Sequence, residues 1–286
     1  MAARRSRRSA SSASTPAARR APPRPPAARP APTVAEPRAA LVSGASRGIG
    51  LAIAERLAAD GMRVLLVARS GAALAEAAAR LPGAVAHAAD LRDPAAAGVA
   101  VDAAMAGFGR LDLLVNCAGA TQRGDFVALD DAAWADGYAL KLHGAVRLAR
   151  AAWPHLKAAR GGIVNIAGIG GRVASADFTI GGSVNAALMN LTKALADKGV
   201  AEGVRVNCIN PGSIRTDRLE GRIRTLAEAR GLDHAAAAEA LAAETGVARF
   251  GEPAEIAAMV AFLASDQASY VQGAILDVDG GWVRAV

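Results

Sequence analysis

A short apolar run through Leu41, Val42 and Ser43 breaks at Gly44 and passes Gly48 and Gly50 into an alanine- and leucine-rich stretch. A strand that turns at once into a helix through three glycines leaves few folds open. The turn must be tight, and the backbone must come close to its surroundings. The unpaired N–H groups of the helix then face the turn, a site suited to a pyrophosphate. The rest of the chain keeps the alternation. Strand candidates fall at 40–43, 64–68, 84–89, 111–116, 163–166, 204–209 and 274–278, with helical, alanine-rich stretches between them. Asp60-Gly61 and Pro82-Gly83 are helix stop signals. This pattern predicts an α/β fold: a single doubly wound parallel sheet of about seven strands, helices on both faces, and a ligand crevice at the strands' carboxyl ends.

The length of 286 residues suits one such domain with a tail, and 52% hydrophobic residues can build its core. The net charge of +7 belongs to the tail. Residues 1–37 hold Arg4, Arg5, Arg7, Arg8, Arg19, Arg20, Arg24 and Arg29 against Glu36, which leaves residues 38–286 formally neutral. The basic balance therefore gives no sign of a nucleic-acid-binding body. The tail is rich in Ala, Arg, Pro and Ser without apolar periodicity, so residues 1–37 are expected to be disordered. Three readings of it stay open: a disordered extension, with an alternative start at Val34; a transit peptide, in an organelle-bearing host; and a patch that adheres to nucleic acid. No apolar segment follows the arginines, which argues against a secretory signal. No stretch looks long and apolar enough to span a bilayer, so no membrane partner is expected.

The runs LVSGASRGIG (41–50), LVNCAG (114–119), IVNI (163–166) and NPGSIRT (210–216) resemble the short-chain dehydrogenase/reductase family, over essentially everything from Arg38 onward. The resemblance implies a Rossmann-like fold and a cofactor site built from Gly44, Ser46, Arg47, Ile49 and Gly50. It implies an adenine-contacting pair, Asp90-Leu91, and a turn of Asn116, Ala118 and Gly119 past which the cofactor runs, Asn116 bracing the central strands. Pro211, Gly212, Ile214 and Thr216 match the segment that contacts the nicotinamide carboxamide and the phosphate. An NAD site would place an acid at the end of the second strand. Arg69 stands there instead, a planar fork suited to the 2′-phosphate of NADP, with Arg47 as a second cation. Both also read as solvated surface arginines, but with no acid at either place the expected cofactor is NADP(H). The family's sheet order puts one strand between Cys117 and Cys208, about 10 Å apart and beyond disulfide reach. Reduced thiols suit a cytoplasmic protein. Residues 217–251 match the helical insertion that covers the substrate. The family's habit also implies a homodimer or homotetramer, paired through the helices around Trp134 and Ser183.

The chemical half departs from the family. Its members protonate the substrate with the Tyr of a Tyr-x-x-x-Lys helix. This chain has only Tyr138 and Tyr270, and four residues on stand Leu142 and Ala274. Counting from residues 163–166, the serine position falls on Gly168, the tyrosine on Gly181 and the lysine on Asn185. Counting from Trp134, the asparagine falls on Lys141. Gly181 is expected to leave a void where a phenol would stand, and Asn185 to keep a hydrogen bond to the nicotinamide ribose without supplying charge. Lys141 is the candidate to restore the positive charge and act as proton donor, and Asp177 the candidate acid–base partner. Lys141 reads equally as a residue that bonds backbone or snorkels to solvent. Tyr138, three residues earlier, is expected to share its helix face as a packing residue. His and Cys show no metal-ligand spacing.

Two functions follow. The first is an NADP(H)-dependent oxidoreductase acting on a small-molecule carbonyl/alcohol pair with a different proton donor. The second is an NADP(H)-binding protein with a non-redox role: a pseudoenzyme, scaffold, cyclase or isomerase. Retention of Ile214 and Thr216 favours the first, and the four replacements favour the second.

Overall fold

The computed structural model describes residues 37–284. The tail assigned to residues 1–37 lies, but for its last residue, outside the described residues. Alternate residues of β1 (Ala39–Ser43) enter different cores: Ala40 and Val42 face one side of the sheet, Ala39 and Leu41 the other. Strands β2 (Arg63–Ala68) and β4 (Leu113–Asn116) divide in the same way, which is why these runs are apolar throughout and not alternating. With β3 (Val85–Ala88), β5 (Gly162–Ile166), β6 (Arg205–Pro211) and β7 (Ile275–Val278) they form one parallel sheet in the order β3-β2-β1-β4-β5-β6-β7.

Helices α1 (Gly48–Ala59), α2 (Gly71–Ala79) and, from the C-terminal part, α9 (Pro253–Ala264) pack on one face. The opposite face is covered by α3 (Ala96–Phe108), α5 (Gly144–Ala159) and α6 (Thr179–Glu202). Before α5 the chain forms α4 (Asp131–Tyr138) and a π-helical turn, Ala139–His143. Beyond β6, α7 (Asp217–Arg230) and α8 (His234–Thr245) share a small core of their own with Phe250. No helix among the described residues is long and apolar enough to cross a membrane.

The observed strands differ from the expected ones by one or two residues at their ends. β4 starts at Leu113, not 111, because Asp112 just before it is a junction. Its carboxylate accepts from Ala39 N at 2.9 Å and from Arg110 Nε at 2.8 Å. β3 is an edge strand, mostly exposed, and is shorter than the expected 84–89. The stop signals act through the backbone: Asp60 closes α1, with Gly61 following at φ +84°, and Gly83 at φ +71° turns the chain into β3. Chain order reverses on either side of β1, so the crevice opens between β1 and β4 at their carboxyl ends.

Candidate active site

Three loops meet at that crevice. Gly44 has φ +72°, and a Cβ there would lie 2.9 Å from Ala118 Cα. Gly48, at φ +56°, would bring one within 3.3 Å of Thr216 Cγ2, and Gly50 within 2.2 Å of the Gly44 carbonyl oxygen. A side chain at any of the three would pry the turn from its neighbours. No side chain caps α1, so its first N–H groups stay directed at the turn. Ser46 and Ile49 are half-buried, and Ile49 packs on the core behind. Ser43 Oγ ties the loops together: it donates to Val115 O and accepts from Cys117 N at 3.0 Å and Ala118 N at 3.1 Å.

Deeper in, Asn116 Nδ2 donates to Asn165 Oδ1 at 2.8 Å, and Asn165 Nδ2 to Thr192 Oγ1 at 2.9 Å. This buried chain ties β4, β5 and α6 together. It leaves Asn116 Oδ1 without a partner, as are Asn185 Oδ1 and Ser213 Oγ. Gly212 lies against Asp279, where a Cβ would come within 2.8 Å of Cα, and its N–H bonds Val278 O at 3.0 Å just past Pro211. Ile214 is buried and bridges to Gly251. At the outer end, Arg69 is exposed and Asp90 accepts from Arg92 N at 3.1 Å. The Leu91 side chain is buried beneath Gly144. Arg47 reaches Asp217 at 3.4 Å, both side chains largely exposed.

Lys141 lies in the π-helical turn, whose extra residue swings it out of the α-helical register. Tyr138 and Lys141 therefore do not share a face as expected. Tyr138 stacks on Trp134 with ring centroids 6.4 Å apart, while Lys141 Nζ donates to Ala167 O at 2.5 Å. The lysine stem runs over Gly119, whose missing Cβ would be 3.0 Å from Lys141 Cδ. Burial, and then the Arg218 cation, pull the Lys141 ammonium down to about 8. Cys117 and Cys208 beside it are free thiols that desolvation pushes up to about 11, so at neutral pH they lend it no negative charge.

The space next to Gly181 is filled, which corrects the expected void. The Phe178 ring presses on this glycine so closely that a Cβ would lie 2.0 Å from Phe178 Cζ, and one on Gly170 2.8 Å from Cε1. Glycines on two elements thus make room for one ring. Gly168, at φ +150°, leaves space that Asn185 Nδ2 approaches to 3.0 Å of the Cβ position. Asn185 is buried to 3% exposure. Asp177 is also corrected as an acid–base partner. It is exposed, accepts from Ser175 Oγ, and pairs with Arg123 at 2.7 Å. Those bonds, Ser175 first, hold its carboxyl below the usual range, so it has no proton to give near neutrality.

The sequence reading missed Phe178, Arg123 and Arg218. Arg123 lies over the Phe178 ring at 3.9 Å, and Arg218 Nη2 donates to Gly119 O at 2.7 Å, closing α7 over the loop after β4. Only the four-residue spacing of Arg218 and Arg222 was there to be noticed. Among the described residues no group of His, Cys, Asp and Glu could hold a metal ion.

A doubly wound parallel sheet with a glycine turn after its first strand, opening at the switch point, defines a Rossmann-like dinucleotide-binding protein. A family described as enoyl-(acyl carrier protein) reductase matches residues 44–283. Galactitol 2-dehydrogenase (L-tagatose-forming) of Cereibacter sphaeroides is 39% identical over 253 residues, covering 85% of this chain and 94% of that one. The 3-oxoacyl-[acyl-carrier-protein] reductase of Escherichia coli K12 is 36% identical over 249 residues, covering 86% and 97%. L-Sorbose reductase of Gluconobacter frateurii, solved with NADPH and L-sorbose, superposes with a TM-score of 0.84 at 34% identity over 88% of this chain and 98% of that one. The chain belongs to the short-chain dehydrogenase/reductase family, a family of oxidoreductases.

Proposed function

We propose that this protein is an NADP(H)-dependent oxidoreductase that interconverts a carbonyl and an alcohol, with Lys141 as proton donor in place of the tyrosine the chain lacks. The observation that carries this is Lys141 itself: a half-buried ammonium at the crevice, titrating at about 8, held by one backbone carbonyl and by no carboxylate.

The residues present fit the cofactor. The cradle of Gly44, Gly48 and Gly50 admits backbone approach and no side chain, and α1 directs free N–H groups at it. Arg69 and Arg47 suit the phosphate of NADP. The orphaned Oδ1 of buried Asn185 is an acceptor for a ribose hydroxyl, and Ser213 Oγ a donor near the nicotinamide end. The sorbose reductase solved with NADPH supports the same choice. Bound NADPH supplies the hydride for the carbonyl carbon. The Lys141 ammonium then hands its proton to the carbonyl oxygen, and the neutral amine stays bonded to Ala167 O until solvent reprotonates it. In the alcohol-to-carbonyl direction the neutral amine takes the proton. Gly168 has no hydroxyl to orient the carbonyl, so orientation falls to Lys141 and the α7 segment. The reading extends to a cytoplasmic homodimer or homotetramer, paired through the helices around Trp134 and Ser183, α4 running on to α5 and α6, which light scattering tests.

A second reading, an NADP(H)-binding protein with a non-redox role, draws on one observation: the Phe178 ring stands over Gly181, where the family's phenol belongs. The deciding experiment follows NADPH absorbance across a broad carbonyl panel, with wild type and Lys141→Met. The expected outcome is turnover by wild type and a rate about 10²–10⁴ lower in the variant, with NADPH affinity unchanged. Full turnover in the variant removes Lys141 as donor. Tight NADPH binding with no oxidation anywhere in the panel selects the second reading.

A further inference from the structure

Cations gather on the substrate side of the crevice with little to balance them. Lys141 and Arg218 both rest on Gly119, one through its stem and the other through a 2.7 Å bond to the carbonyl. Arg123 lies over Phe178, and Arg222, one turn beyond Arg218 on α7, is near enough to Arg123, Asp177 and Glu244 for their charges to bear on it. Leu219 and Ile223, on the neighbouring stripe of α7, pack against α8. Three other arginines of this segment have carboxylates, Arg215 with Glu252 at 3.2 Å, Arg230 with Glu244 at 2.6 Å and Arg249 with Glu255 at 2.7 Å, while Arg224 is exposed to solvent. Among the described residues Arg218 and Arg222 have none within ion-pair distance. Asp177 is the one carboxylate at the cluster in ion-pair contact, and Arg123 already takes it. Burial first, and the neighbouring cations after it, draw both guanidiniums below their usual range.

We infer that Arg218 and Arg222, with Arg123 beside them, bind an anionic group, a carboxylate or a phosphate, carried by the substrate. This deepens the oxidoreductase reading and rests on it. Uncompensated cations held side by side at a partly desolvated mouth repel one another, and an oxyanion relieves that repulsion. Two planar forks one helical turn apart suit an anion's several lone pairs. The cofactor's own phosphates have other partners in the α1 N-terminus, Arg47 and Arg69. Arg222 instead lies within the field of Arg123, whose guanidinium covers the Phe178 ring.

The test is isothermal titration of the full chain saturated with NADP⁺, a state with no hydride to give. The probes are 4-acetylbenzoate, 4-acetylphenyl phosphate and uncharged 4-acetylbenzamide, which share a ketone and a ring. One or both anions are expected to bind about tenfold to a hundredfold more tightly than the amide, and their order tells carboxylate from phosphate. Arg222→Gln is expected to lose most of that preference while amide and NADP⁺ affinities hold, and Arg218→Gln to lose it as well. Equal affinity for all three, no binding of either anion, or a preference retained in both variants overturns the inference. The same probes with NADPH separate the two proposals. Anion preference without NADPH oxidation removes the redox reading alone, and oxidation as fast with the amide as with the anions removes this one alone.

Discussion

An ammonium beside a guanidinium and two neutral thiols, held by one carbonyl, is in a poor place to stay charged. Lys141 bears that strain, and it sets two expectations. The reduction rate should fall as pH rises through about 8, because only the protonated amine donates, and alcohol oxidation should rise over the same range. Stability should move with it. The unfolded lysine titrates at its ordinary 10.5 and the folded one at about 8, so between these values the unfolded chain binds more protons and stability rises with pH. Urea unfolding from pH 7.5 to 9, below the range where the raised thiols of Cys117 and Cys208 act in the opposite sense, should show that rise in wild type and lack it in Lys141→Met, which should be about 1–2 kcal/mol more stable at pH 7. A flat wild-type profile would mean that the burial is relieved by solvent. Gly181 and Phe178 form a second residue-scale unit. Gly181→Ala should destabilise by about 1–3 kcal/mol through overpacking, and much less when Phe178→Ala has already removed the ring. A double-mutant cycle measures that coupling, and additive effects would show that the ring can swing away freely.

At the scale of elements, the crevice depends on strands being held in register from behind. The chain from Asn116 through Asn165 to Thr192 does this with side chains where β4 and β5 approach the loops, and Thr192 Oγ1 passes the bond on to Leu188 O at 2.8 Å. Thr192→Val keeps the shape and removes the acceptor for Asn165. A buried amide hydrogen is then left unpaired, with an expected loss of about 1–3 kcal/mol in chemical denaturation. NADPH affinity should fall with it, because Asn116 and the turn of Ala118 and Gly119 lose their anchor. A variant as stable as wild type would indicate that water takes the vacated place. The π-helical turn between α4 and α5 is the other device at this scale, since the single extra residue aims Lys141 at the crevice and leaves Tyr138 on Trp134.

Across the whole molecule, two large cores lie on the faces of the sheet, and a third, much smaller one joins α7, α8 and Phe250. Its five fully buried members, Leu219, Ile223, Ala237, Leu241 and Phe250, exclude water over far less apolar area than either face of the sheet does. Local opening should therefore be easiest there. Amide hydrogen exchange is expected to be at least about tenfold faster in α7 and α8 than in β1, β4 and β5, and to slow when NADPH and an anionic ligand are both present. Uniform protection across the molecule would tie the segment into the global unfolding unit.

The alternation of strands and helices, the glycine turn and the bracing role of Asn116 were legible in the sequence. The first two rest on local sterics or on a period that neighbouring residues display: positive φ at Gly44 and Gly48, apolar runs buried on both faces, a stop at Asp60-Gly61; the role of Asn116 came only from the family resemblance. Lys141 could be picked out as a candidate, but not the environment that lowers its pKa. That depends on Arg218, which reaches Gly119 from 99 residues away, and on Ala167, 26 residues on. The void expected at Gly181 failed for the same reason. A missing side chain tells what has gone from its own position, and only packing decides which neighbour, here Phe178, moves into the space.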